Sequence, residues 1–198
     1  MESPALPGSD GPAALLARAF MDEPLFTYLW PDAGQRRRRV PGFFDLMVST
    51  GREHGLCETS PGREGAAIWR RPGEWQLGWG TVALNLHRFL PLFGTAVGRA
   101  LRIIRLVEHR HPTKPHWYLA YLGVAPEFRG RGVARSLLRS RLDLCDLEGL
   151  PAYLETQKAD NLGLYRSVGF ELVGEERVPG GPPCYFMWRE PRSGPEVA

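Results

Sequence analysis

Residues 124–135, VAPEFRGRGVAR, set Gly130 and Gly132 among Arg129, Arg131 and Arg135, directly after an apolar run and directly before a stretch of helical periodicity. Glycine has no Cβ, so the backbone at both positions can take positive φ and bring its N–H groups close to a ligand. A helix beginning at about Gly132 adds unsatisfied first-turn donors and the positive end of its dipole, which together bind anions. The arginines raise the positive potential further, and a pyrophosphate fits the description. A G-x-G turn ahead of a helix can also be a plain strand-to-helix connection. A dinucleotide-binding turn of the G-x-G-x-x-G kind is disfavoured, because Arg135 stands where the third glycine belongs and no strand–helix–strand unit opens the chain.

The elements on either side are those needed to aim such a turn. HWYLAYLGV is strongly apolar and aromatic and reads as a central strand buried on both faces. After the turn, Val133, Leu137, Leu138, Leu142 and Cys145 recur at helical intervals up to Gly149, a natural stop. PAYLETQ predicts a further strand, ADNLGLYRSVG a short helix ending on Gly169, and FELVGEERV with CYFMWRE a closing hairpin around PGGPP. Upstream, a helix is predicted from Pro12 to about Met21, then a turn at 22–24 and an aromatic cluster of Phe26, Tyr28 and Trp30. Phe43, Phe44, Met47 and Val48 keep helical spacing, with Pro41 and Gly42 weakening the start of that helix. LCETS and GAAIWRR form a predicted hairpin, and the region from Trp75 settles into an amphipathic helix around VGRALRIIRLVEHR. The order of elements is that of a mixed α/β domain.

At 198 residues the chain suits one domain with one site. The expected division is a flexible N-terminus over 1–11, a single domain over 12–190 and a flexible tail over 191–198. The formal charge of +3 is too weak to argue for nucleic acid without a recognition motif, and the four arginines at 36–39 read as a solvated helix face. Cys57, Cys145 and Cys184 lie far apart with no C-x-x-C pair, and the five histidines show no ligand spacing. No metal is therefore expected, the histidines read as surface or packing residues, and reduced cytoplasm fits best. The opening residues lack the basic region of a signal peptide. The weakly charged stretch from Leu77 to Val97 carries Asn85, His87, Arg88 and Pro91 and is a poor membrane span.

Arg129-Gly130-Arg131-Gly132-Val133-Ala134 matches the acyl-CoA signature of the GCN5-related N-acetyltransferases (GNAT): Arg or Gln, any two residues, Gly, any residue, then Gly or Ala. LGVAPEF resembles that family's central strand running into its pyrophosphate loop. YLETQKADNLGLYRSVGFELVG resembles its downstream element, in which Asn is followed by Tyr and then Gly-Phe. The span from about 112 to 189 most resembles members that acetylate an aminonucleoside. The resemblance implies an α/β fold with a mixed, mostly antiparallel twisted sheet flanked by helices and splayed at the central strand. It implies acetyl-CoA as co-substrate and direct transfer of acetyl to a primary amine.

The same resemblance implies roles for individual residues. A bulge in the central strand would free backbone N–H groups of Leu122, Gly123 and Val124 for the thioester oxygen and pantetheine, with Gly123 easing the bulge. Arg129, Gly130, Arg131, Gly132, Val133, Ala134 and Arg135 would hold the pyrophosphate. Tyr165 would protonate the leaving thiolate, and Asn161, one turn earlier, would bond pantetheine unless it caps the helix. Glu155, at the end of its strand, would take a proton from the amine directly or through water, unless it only bonds neighbouring backbone. Tyr28 and Trp30 could line the acceptor pocket, since aromatic faces suit a flat or cationic amine; core packing is the other reading. The expected acceptor is a small-molecule amine, with no nucleic acid or membrane partner and a monomer or homodimer as the working form. A peptide or protein N-acetyltransferase and a non-catalytic acyl-CoA-binding module are the alternatives.

Overall fold

The computed structural model describes residues 11–75 and 85–192, of which 51–54 by backbone alone. Part of the weakly charged stretch from Leu77 to Val97 lies outside the described residues, as do most of the two expected flexible ends.

Three helices open the chain: α1 (Pro12–Phe20), α2 (Pro24–Leu29) and α3 (Ala33–His54). Proline at the start of α1 and of α2 suits the first turn, where its missing N–H has no carbonyl to meet. The helix α3 begins well ahead of the weak point expected at Pro41, because the Asp32 carboxylate caps it by accepting from the Gln35 N–H at 2.8 Å. Pro41 costs this helix roughly 3 kcal/mol. Burial of Val40, Phe43, Phe44, Leu46 and Met47 offsets that, at about 1.5–3 kcal/mol for each large side chain. Of the arginines expected on a solvated face, Arg37 and Arg38 are exposed, while Arg36 and Arg39 donate to the carbonyls of Trp30 and Phe93.

The hairpin β1 (Gly55–Thr59) and β2 (Gly65–Arg70) follows, then α4 (Leu86–Phe93) and α5 (Val97–Arg110). The central strand β3 (Trp117–Val124) leads through the glycine turn into α6 (Val133–Glu148). The chain closes with β4 (Ala152–Thr156), α7 (Leu162–Arg166), β5 (Glu171–Arg177) and β6 (Pro183–Arg189). The six strands form one sheet in the order β1-β2-β3-β4-β6-β5, antiparallel throughout except where β3 meets β4.

Two features of the sheet prepare the site. The parallel pair β3–β4 is in register only at Trp117–Ala152, Tyr118–Tyr153 and Leu119–Leu154, and beyond it the strands part. On the other side of β3, Ile68 faces Tyr121 while Trp69 faces Leu119, so Ala120 is an extra residue, a bulge. The bulge resets the alternation of faces. Trp117 and Leu119 belong to the core under α6 and α7, whereas Ala120 and Tyr121 both pack against the core under α1 and α3. The strand is thus covered on both faces, as expected, but its two aromatic hydroxyls, Tyr118 and Tyr121, come to share one face.

Candidate active site

The glycine turn takes the conformation its composition predicts. Gly130 and Gly132 have φ of +77° and +80°, and a Cβ built on either would meet nothing within 4 Å. Their purpose is therefore backbone direction and an open approach, not packing against the protein. Gly132 brings no side-chain cap, and the Ser136 N–H is the first amide of α6 to reach a helical carbonyl, Gly132 O at 3.0 Å. The amides of residues 133–135 are left as donors at the positive end of a 16-residue helix. Gly132, Arg135, Ser136, Arg139 and Ser140 line an open depression of about 390 Å³ at this end. Such donors and arginines could hold a pyrophosphate. Arg129 differs from Arg135 in its use: its guanidinium donates to the Ala19 carbonyl at 3.0 Å and ties the turn to α1, while the Arg131 guanidinium lies 5.3 Å from the Phe128 ring centre.

The fork between β3 and β4 continues from this turn. The Ala125 N–H donates to Glu64 O, on the β2 side. By the two-residue alternation of a strand, the Gly123 N–H points the same way and those of Leu122 and Val124 point into the fork. Only two of the three expected donors are thus available there. Nor does Gly123 ease the bulge, which lies at Ala120. A Cβ on Gly123 would come within 2.7 Å of the Ala19 Cβ, so this glycine is what lets α1 lie close on β3.

Tyr165 and Glu155 stand on opposite faces of the sheet. Tyr165 is buried in the core cluster of Ala152, Leu154, Leu138 and Phe170, and that burial, with a smaller contribution from the nearby Glu23 carboxylate, pushes its hydroxyl pKa up. It therefore holds its proton at neutral pH. Asn161 makes no side-chain cap to α7, so the capping role is not seen; its amide donates to Thr156 Oγ1 at 3.3 Å. Thr156 alternates with Leu154, which keeps Asn161 on the Tyr165 side.

Glu155 follows Tyr153 onto the other face. It bonds a side chain and not backbone: Tyr118 donates its hydroxyl to Glu155 Oε2 at 2.7 Å, and the Glu155 side chain is only 5% exposed. Desolvation and the neighbouring Glu155 charge push the hydroxyls of Tyr118 and Tyr153 well above the usual tyrosine value. Two histidines complete this cluster. His111 Nδ1 lies 3.9 Å from Glu155 Oε1, and His111 Nε2 lies 3.1 Å from His116 Nε2. Sequence reading passed over both, because their spacing carries no ligand or triad signal and only the fold brings them to Glu155. Of the two aromatics expected near the acceptor, Tyr28 donates its hydroxyl to Pro179 O at 3.0 Å. Trp30 is 1% exposed and packs among Phe26, Phe43 and Phe93, so it fills the core under α1 and α3 and reaches no open face.

A sequence model described as the acetyltransferase (GNAT) family matches residues 66–170, a little over half of the chain. The chain belongs to this family. The match runs from β2 through the bulged strand, the glycine turn and α6 to Tyr165, so the acetyltransferase's fork and its anion cradle both lie inside it. An uncharacterized N-acetyltransferase of Schizosaccharomyces pombe is 26% identical over 203 residues, covering 91% of this chain and 79% of that protein. The N-alpha-acetyltransferase RimI of Mycobacterium tuberculosis is 46% identical over 104 residues, covering 49% of this chain and 61% of that one. Among solved structures, one from Corynebacterium glutamicum described as histone acetyltransferase HPA2 and related acetyltransferase superposes with a TM-score of 0.69 at 25% identity, covering 94% and 92% of the two chains. The protein is an acetyl-CoA dependent N-acetyltransferase. No helix among the described residues is long and apolar enough to cross a membrane.

Proposed function

We propose that this acetyltransferase moves acetyl from acetyl-CoA to a primary amine of a small molecule, directly, with both substrates bound together. The observation that carries the reading is the fork itself. It has an anion cradle at its end, a protonated tyrosine on one face and a buried carboxylate on the other. Acetyl-CoA supplies the activated acyl group as a thioester. Residues 130–135 bind its pyrophosphate with backbone donors, and Asn161 bonds the pantetheine. The N–H groups of Leu122 and Val124 offer hydrogen bonds to the charge that grows on the acyl oxygen as the amine adds. Glu155 accepts the proton the amine must lose, and Tyr165 gives its proton to the sulfur as the C–S bond breaks.

The acceptor class rests on the setting of Glu155. Its carboxylate is enclosed by the rings of Tyr118, Tyr153 and His111, and aromatic walls around one buried charge suit a compact cation better than a hydrated peptide tail. The span 112–189 also resembles puromycin N-acetyltransferase, whose acceptor is an aminonucleoside. A protein α-amine is the second reading, favoured by the likeness to RimI across 49% of the chain. A competition assay separates the two. Thiol release from acetyl-CoA is followed with matched panels of small primary amines, aminonucleosides included, and of peptides bearing lysine or a free α-amine. Turnover of small amines is expected. Efficient acetylation of peptides alone would replace the acceptor class and leave the transfer chemistry standing.

A further inference from the structure

The cluster behind Glu155 has a proton arithmetic of its own. His116 Nδ1 lies 2.6 Å from the Lys114 carbonyl, which can only accept, so Nδ1 carries a proton. Burial lowers the His116 pKa, which keeps the ring neutral and leaves its Nε2 bare. His111 Nε2, 3.1 Å away, must then be the donor of that contact. With its proton on Nε2, His111 turns Nδ1 toward Glu155 Oε1. Both atoms are buried and neither has a hydrogen-bond partner. The two atoms face each other at 3.9 Å, beyond hydrogen-bond distance, in a place where an unsatisfied polar atom is costly. One added proton satisfies both.

The surroundings hold the rings in this arrangement. Trp75 stacks on His111 with ring centres 3.6 Å apart, and Tyr118 and Tyr153 meet its ring edge-on. Tyr118 and Tyr121 from β3, Tyr153 from β4 and Cys184 from β6 interact with Glu155, and burial pushes every one of their pKa values up, those of Tyr121 and Cys184 to about 12. Arg110 at the end of α5 faces Tyr153 and pairs with Glu176, and Arg70 from β2 faces Tyr118 and Tyr121.

We propose that His111 is a positioning residue of the acetyl transfer, which shares a single proton with Glu155 and stores the proton that Glu155 removes from the amine. This rests on the reading of Glu155 as the base. In the step, the amine N–H bond breaks, its electron pair stays on nitrogen for attack on the acyl carbon, and the proton goes to Glu155. His111 Nδ1 then takes it, leaving an imidazolium beside a re-ionised carboxylate. Bulk water removes the proton as products leave. His116 fixes the tautomer that keeps Nδ1 open.

The test has a spectroscopic and a kinetic arm. In the full chain labelled with 15N-histidine and with 13C at the glutamate carboxyl, the His111 Nδ1 and Glu155 carboxyl signals are expected to respond to one another. Glu155→Gln is expected to move the His111 Nδ1 signal and to leave that of His116 Nδ1, held by the Lys114 carbonyl, in place. A His111 signal indifferent to Glu155→Gln overturns the inference. In kinetics, His111→Phe keeps a ring for Trp75 to stack on; it should lower kcat by about tenfold or more and shift the acid limb of kcat/KM, with the KM for acetyl-CoA unchanged. His111→Gln serves if that variant does not fold. Loss of rate in Glu155→Gln with parental rate and pH profile in the His111 variants removes this inference alone. A fully active Glu155→Gln removes the base reading and this inference with it.

Discussion

Tyr165 shows how one buried hydroxyl can be poised. Burial among Leu138, Leu154, Val168 and Phe170 raises its pKa, so the proton stays in place until a strong base, such as a departing thiolate, appears nearby. Tyr165→Phe removes that proton and keeps the ring, whose edge-on contact with Phe170 at 6.1 Å does not involve oxygen. Saturating turnover is expected to fall by about 10²-fold or more, with acetyl-CoA affinity and thermal stability unchanged. Turnover within about twofold of the parent would end the role. That Tyr165 and Asn161 come to one side of the sheet was legible in the sequence, because both sit in one short motif. His111 and His116 were not, since what matters there is a neighbour on β4 that no local pattern announces. Trp30 shows the opposite failure: an aromatic that suits a binding wall suits a core equally, and only its burial decides.

At the scale of elements, α6 does two jobs with its two ends. Its N-terminus is the proposed acetyl-CoA contact at Gly132, where a β-branched side chain would be strained at φ of +80° and would occupy the open approach. Gly132→Val is expected to weaken acetyl-CoA binding by about tenfold or more, which calorimetry reads. Gly149 caps the other end of the same helix at φ of +65°, so Gly149→Val imposes similar strain and should leave affinity unchanged. Equal affinity in a folded Gly132→Val would move the cofactor elsewhere. The last turn of α6 anchors β6 through Asp146, which accepts from both terminal nitrogens of the buried Arg189 at 2.7 and 2.6 Å. Those hydrogen bonds hold the Asp146 carboxyl below the ordinary aspartate pKa. The folded value thus lies under the unfolded one of about 3.9, so this stabilisation is complete above that pH and is lost as pH falls through the folded value. Asp146→Ala should cost about 3 kcal/mol in urea unfolding at neutral pH by stranding Arg189, and should flatten the acid loss of stability seen in the parent. Unchanged stability would show the pair to be ornamental. Helices and hairpins of this kind were readable from periodicity and turn residues. The bulge at Ala120 was not, because WYLAYL is apolar at every position and offers no polar residue to reveal the change of face.

At the scale of the whole molecule, the described strands form two half-sheets, β1-β2-β3 and β4-β6-β5, joined along three residue pairs and parted beyond them. Sequence could supply this division only through the family resemblance, since parting of strands is a property of register and not of any residue type. A ligand lying in the fork must bond both halves, and it binds the folded chain alone. At a concentration one hundred times its dissociation constant, acetyl-CoA should therefore add about 2.7 kcal/mol of stability, which for a chain of this size is roughly 5–10 °C in Tm. The alternation of β3 makes the prediction sharper than a thermal shift. The amides of Leu122 and Val124 point into the fork, whereas that of Gly123 points toward β2, as the bond from the Ala125 N–H to Glu64 O fixes. Hydrogen exchange of the Leu122 and Val124 amides should slow when acetyl-CoA is added, relative to Gly123, which gains only what global stabilisation gives every amide. CoA without the acetyl group should raise the Tm through its pyrophosphate yet protect these two amides less, because the acyl oxygen is missing. Equal slowing at all three amides, or none beyond the global change, would show that acetyl-CoA leaves the fork open and that the two halves are bridged only at the glycine turn.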